Sequence, residues 1–186
     1  MSLVQINTVT HGVELDLKYA TADNFTGKPV YTHATCYLHS EAEKCLVTAR
    51  DLAAIQGYRL CIFDAFRPSE VQWKLWEHTP DPDFLADPRR GSPHSRGVAV
   101  DLTLIDQVSG AALDMGTAFD AFTPKSHHGN TDVSPLAQKN RMMLMGIMTT
   151  AGWDFYRNEW WHYQLFDSRS FELFGDADIP HPMTAP

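Results

Sequence analysis

Apolar and polar positions change period several times along the chain, and each change marks an element. Residues 13–20, VELDLKYA, alternate like a half-buried strand. TADNFTGKPVYT, which follows, gathers Asp, Asn, Gly and Pro and predicts a loop. From Ser40 the spacing turns helical. Cys45, Ala49, Leu52 and Ile55 approximate one face, Ser40 is placed to cap with Glu43 three residues on, and Gly57 stops the helix. RLCIFDAF reads as a buried strand and RPSEVQWKLWEHT as the next helix, with Pro68 in its first turn.

The four prolines of PDPDFLADPRRGSP predict a long loop. GVAVDLTLID alternates and is rich in β-branched residues, so a strand is expected; QVSGAALDMG should add a turn and a short strand. TAFDAFTPKSHHGNTDVSPL is polar and irregular, the pattern of a flexible flap. PLAQKNRMMLMGIMTTAGW carries an apolar helical stripe closed by Gly152, and aromatic EWWHYQLFD predicts a last strand. Strands and helices mix without steady alternation. The fold class expected is therefore α+β, with a central antiparallel sheet flanked by helices in one domain over residues 1–186.

Composition narrows the function. The content is 44% hydrophobic and 20% charged, that of a chain able to bury a core. A formal charge of −8 argues against nucleic acid or an anionic membrane as partner. No apolar run is long enough to span a bilayer. The first twenty residues lack a basic stretch followed by an apolar one, so an unexported, cytoplasmic protein is expected. Cys36, Cys45 and Cys61 are isolated and odd in number, which suits reduced thiols better than a disulfide framework or thiolate metal site. Self-association stays open.

Two stretches carry candidate chemistry. In GSPHSRGVAVD, His94 precedes a strand and Asp101 lies in it; alone they read equally as a polar loop residue and a turn former. In EWWHY, Glu159 and His162 are three apart, which puts them on opposite faces of a straight strand, so the chain must bulge or turn if both face one site. The other reading is an aromatic core strand with a wet end. Taken together, the pieces fit a catalytic zinc with two imidazoles and one carboxylate (His94, Asp101, His162) and an open position for water. Glu159 is placed to take that water's proton and return it to a leaving amine, while the metal lowers the water's pKa towards about 7. Other divalent metals also suit this set. Arg67, in FDAFRP, follows a buried strand; it suits an oxyanion or a substrate carboxylate, or pairs structurally with Asp64 or Glu70. His127 and His128 sit in a polar stretch and read as flap histidines, and RMMLMGIM reads as core.

SPHSRGVAVDLTL resembles the S-x-H-x-x-G-x-A-x-D motif of zinc D,D-peptidases, EWWHY their E-x-W-H motif, and FDAFRP their arginine-bearing segment. LKYATADNFTGKPVY, DMGTAFD and KSHH are similar to segments of the D-alanyl-D-alanine dipeptidases, the VanX-type branch of the M15 family. The likeness runs from about Tyr19 to Tyr163. It implies the zinc D-Ala-D-Ala peptidase fold shared with hedgehog-type domains, and one zinc on His94, Asp101 and His162. It further implies Glu159 as general base, Arg67 on the tetrahedral intermediate, and cleavage of free D-Ala-D-Ala, for vancomycin resistance or D-alanine recovery. By the same resemblance Asp120 and Tyr19 hold the substrate ammonium, and Ser92 and Tyr31 lie near its carboxylate. Two alternatives remain: a carboxypeptidase or endopeptidase on longer wall peptides, and a non-catalytic zinc-fold binding domain.

Overall fold

The computed structural model describes residues 3–184; Met1, Ser2, Ala185 and Pro186, part of the domain read over 1–186, lie outside it. A short ribbon opens the chain: β1 (Leu3–Ile6), one turn of helix α1 (Thr8–His11), then β2 (Glu14–Leu15) and, after a long loop, β3 (Cys36–His39), which pairs antiparallel with β1. Of the strand expected over 13–20 only β2 forms, because the chain turns into a 3-10 helix at Lys18–Ala20.

α2 (Ser40–Ile55) leads to β4 (Tyr58–Asp64), α3 (Ser69–His78), a proline-rich loop, β5 (Ala99–Asp106), α4 (Pro135–Thr150), β6 (Trp153–Phe155) and β7 (His162–Leu165). Five strands form the main sheet in the order β2-β4-β5-β7-β6, antiparallel except for β2 against β4. The α+β expectation holds.

Alternation along β5 decides what each side of the sheet does. Val100, Leu102 and Leu104 point into the larger apolar core with Ala42, Leu46 and Ala49 of α2 and Leu144 and Met148 of α4. Asp101 and Thr103, equally buried, point the other way. A second cluster of Tyr19, Tyr31, Phe66, Val71 and Leu75 lies around α3. The site occupies the polar face of the sheet.

Three expectations need correction. His39, not Ser40, caps α2: its Nδ1 accepts the Glu41 N–H at 3.2 Å because β3 runs straight into the helix. The buried face of α2 is Ala42, Leu46, Ala49 and Ala53, whereas Ile55 is 78% exposed; small alanines let the helix approach the sheet closely. No strand forms in 107–116 beyond a single bridge, Ile105 to Ala112.

Candidate active site

Three strands carry a row of chemistry. Asp101 on β5 pairs directly with His162 on β7, and Asp64 lies opposite Asp101 on β4, beside a bulge. Antiparallel partners share a face, so register alone brings these three side chains together. His94 joins them from a single 3-10 turn (His94–Arg96) closed by Gly97 at φ 68°. A Cβ at Gly97 would sit 3.0 Å from the His39 nitrogen, so the turn requires glycine.

His94 Nε2, His162 Nδ1 and Asp101 Oδ1 lie 3.1, 3.0 and 3.4 Å from one another. The other imidazole nitrogens settle what faces inward. His94 Nδ1–H donates to the Ala65 carbonyl at 2.7 Å, and His162 Nε2–H donates to Gln164 Oε1 at 3.1 Å. With both imidazoles neutral, the converging atoms are then three acceptors turned on one another, an arrangement that repels unless a cation lies among them. Their spacing fits: tetrahedral bonds of about 2.0–2.1 Å place neighbouring ligands roughly 3.3 Å apart. Among the described residues this is the group of His, Cys, Asp and Glu able to hold a metal. Burial by itself would raise the Asp101 pKa; positive charge on the facing His94 and His162 would instead hold its carboxyl below the usual range, the same demand for a cation at this point.

Glu159 sits in the turn between β6 and β7, with its N–H on the Tyr156 carbonyl and its own carbonyl accepting the His162 N–H. That turn supplies the change of face that the spacing demanded, and both side chains line one cavity. Its Oε2 lies 3.9 Å from His162 Nδ1. Burial, then the negative charges of Asp101 and Asp120, push the Glu159 pKa well up.

Arg67 is held as a fork. Nε and Nη2 meet Asp64 Oδ2 at 2.9 and 2.8 Å, Nη1 donates to Gln72 Oε1 at 2.9 Å, and Nη2 stands 3.7 Å from Asp101 Oδ2. The guanidinium also lies over the Tyr19 ring, 4.9 Å from its centre. It is thus both paired to Asp64 and part of the cavity lining, with Asp64 fixing the direction in which it points.

The cavity, about 340 Å³, is walled by these groups and by the loop from Pro82 to Pro93. Tyr19, Ser92 and Asp120 line it; Tyr31 does not. The Tyr31 hydroxyl instead donates to Asp64 Oδ1 at 2.7 Å, one layer behind Arg67. Ser92 Oγ accepts the His94 N–H at 3.2 Å. Asp120 takes the Tyr19 hydroxyl on Oδ1 at 3.2 Å, while its buried Oδ2 has no partner. Burial, and then Asp101, push the Asp120 pKa up to about 8. The buried carboxylates of Asp64, Asp101 and Glu159 and the half-buried Asp120 therefore face one guanidinium, a surplus that invites positive charge.

His127 and His128 do not line the cavity. The segment holding them is tied down, with Ser126 fully buried and Arg141 donating to the carbonyls of Met115 and Lys125. Asp64, Gln72 and Gln164 were not singled out as site residues from sequence, yet each orients one that was. Gln164 had a signal: two residues beyond His162 on one strand, it must share its face.

The sequence profile of the peptidase M15 family, described as D-Ala-D-Ala dipeptidase, matches residues 1–178. A D-alanyl-D-alanine dipeptidase of Escherichia coli K12 is 43% identical over 174 residues, covering 94% of this chain and 90% of that protein. One from Enterococcus faecium is 37% identical over 182 residues, covering 87% and 90%. A solved structure of the vancomycin-resistance D,D-pentapeptidase VanY in complex with Zn(II) is 14% identical, covers 70% of this chain and 73% of that one, and superposes with a TM-score of 0.46.

Proposed function

The chain belongs to the peptidase M15 family of D-Ala-D-Ala dipeptidases, and on that premise we propose that it hydrolyses the free dipeptide D-alanyl-D-alanine to two D-alanines with one zinc ion per chain. The observation that carries this reading is the trio of His94 Nε2, His162 Nδ1 and Asp101 Oδ1, acceptors converging within 3.4 Å beside a buried glutamate. Zinc held there would lower the pKa of a water and polarise the scissile carbonyl.

The chain's own groups do the rest. Glu159 takes the proton from the attacking water and passes it to the departing amine nitrogen, so that water adds across the C–N bond. The Arg67 N–H edge donates to the oxygen that gains charge as the carbonyl carbon becomes tetrahedral, and Asp64 with Gln72 holds that edge in place beforehand. Asp120 Oδ2, buried and unpartnered, suits the substrate ammonium, with Tyr19 bracing its other oxygen. Ser92, in the cavity wall, suits the carboxylate, and Tyr31 would act through Asp64.

A cavity of about 340 Å³ lies at the small end for ligand sites, which favours a dipeptide over longer wall peptides. A blocked amino group would leave Asp120 buried without its partner. Membership of a peptidase family weighs against a purely binding role. Three free cysteines support a cytoplasmic setting, and among the described residues no helix is long and apolar enough to cross a membrane.

Calorimetric titration of zinc into chelator-stripped protein, with turnover measured in parallel, tests the assignment. We expect one zinc per chain, lost in His162→Ala, and a Glu159→Ala variant that keeps the ion but loses nearly all turnover. Loss of zinc together with activity in Glu159→Ala would make Glu159 a ligand and overturn its role as base.

A further inference from the structure

Residues 117–136 read from sequence as a flexible flap, yet the backbone from Asp114 to Lys125 is fastened to α4. Asn140 Nδ2 donates to the Asp114 carbonyl at 2.8 Å, and Arg141 donates to those of Met115 and Lys125 at 2.7 and 2.8 Å. Inside this segment runs a hydrogen-bond chain whose proton direction is fixed. Trp160 Nε1–H can only donate, and it does so to Thr117 Oγ1 at 2.8 Å. At the other end the Ala121 carbonyl can only accept, and it takes the Ser126 Oγ proton at 2.5 Å. Ser126 has no second hydroxyl proton. Thr117 must therefore donate across the 3.1 Å that separates the two hydroxyls. The order is Trp160 to Thr117 to Ser126 to Ala121, with each proton given one place.

Its two ends matter. Trp160 follows Glu159, and Ala121 follows Asp120. The Ser126 main-chain carbonyl also accepts the Trp160 N–H at 3.1 Å, so Thr117 and Ser126 grip Trp160 at both side chain and backbone. Ser126 is fully buried and Trp160 nearly so. Asp120 stands at φ 57°, a left-handed conformation that aspartate adopts more readily than most residues with side chains. The hydrogen bond to the neighbouring Ala121 carbonyl ties down the chain just beyond it.

We propose that Thr117 and Ser126 are positioning residues that set the separation between Asp120 and Glu159, and so select peptides whose free amino group lies one residue from the scissile bond. The inference rests on the dipeptidase reading above. Neither hydroxyl lines the cavity; each acts through the residue that follows a working carboxylate, Trp160 after Glu159 and Ala121 after Asp120.

Thr117→Val deletes the hydroxyl at nearly constant volume, and Thr117→Ser restores it. Three readouts apply to the zinc-loaded protein: the Trp160 indole N–H resonance with its exchange rate, bound zinc, and kcat/KM for D-Ala-D-Ala against its N-acetylated form. For Thr117→Val we expect full zinc, a shifted and faster-exchanging indole signal, a kcat on the free dipeptide lower by roughly 10- to 100-fold, and preference for the free amine reduced by a similar factor. Thr117→Ser should return all of these towards wild type. Should Thr117→Val not fold, Ser126→Ala breaks the chain at its second hydroxyl while the indole keeps its acceptor, and the same losses of kcat and preference with zinc retained are expected. An unchanged indole signal in Thr117→Val would overturn the chain itself. A changed signal with wild-type kcat and preference would reduce Thr117 and Ser126 to packing. Wild-type protein inactive on both peptides would sink the dipeptidase reading and the selection with it, whereas an active wild type matched by Thr117→Val sinks the inference alone.

Discussion

Asp64→Ala offers the sharpest test of how the site is held. Asp64 and Arg67 are 1% and 4% exposed, and Asp64 receives Nε and Nη2 of Arg67 at 2.9 and 2.8 Å and the Tyr31 hydroxyl at 2.7 Å. Burial raises the Asp64 pKa even against the lowering by Arg67, while the charge of Asp64 holds the Arg67 guanidinium firmly protonated. Removing the carboxylate strands a buried guanidinium and a buried phenol. Breaking such a pair costs about 3–5 kcal/mol. For a chain of this length that is a fall in Tm of about 6–20 °C. Differential scanning calorimetry at matched metal content reads it directly. Asp64→Ala with Arg67→Met should regain much of the loss, since no charge is then left alone. A single variant within about 1 kcal/mol of wild type, or a double variant less stable than the single, would refute the claim that Asp64 is the anchor of Arg67.

Other consequences are open to measurement. Arg67→Lys keeps charge but loses the fork, and we expect kcat to fall by roughly 10²–10³ with KM little changed; a change in KM alone would move Arg67 to substrate binding. Asp120→Asn should weaken the preference for a free amine over an acetylated one by roughly 10- to 100-fold, the scale of a hydrogen bond to a charged group; an unchanged preference would place the ammonium elsewhere. His128 is pushed down to about 4, by burial first and by Arg141 next. Its folded pKa lies below its unfolded one, so its contribution to stability is present above about 6.5 and is lost as pH falls towards 4. Urea midpoints of His128→Gln should decline less than those of wild type between pH 6.5 and 4, and parallel declines would discard His128 as the titrating group.

Much of the site was legible because its motifs are local. His94 and Asp101 lie seven residues apart around one turn and strand, and Glu159 and His162 around one turn. That these two stretches meet is a matter of strand register, the pairing of Asp101 with His162, which no local pattern encodes. Tyr31 shows the same limit: its hydroxyl lies one layer behind Arg67, a depth that spacing cannot express. The phase of α2 was misjudged because Leu52 and Ile55 outweigh alanines in any hydrophobic count, although Ala42, Ala49 and Ala53 are the residues small enough to touch the sheet. The fastening of the segment after Asp114 was not legible, because polar composition marks irregular backbone and says nothing of the Asn140 and Arg141 side chains that bond it.

The most direct test of the central claim is alanine release by the zinc-loaded protein, with D-Ala-D-Ala and L-Ala-L-Ala assayed side by side. We predict rapid cleavage of the D,D dipeptide, abolished by a chelator and restored by zinc. No release from either dipeptide, by protein shown to hold one zinc per chain, would contradict it.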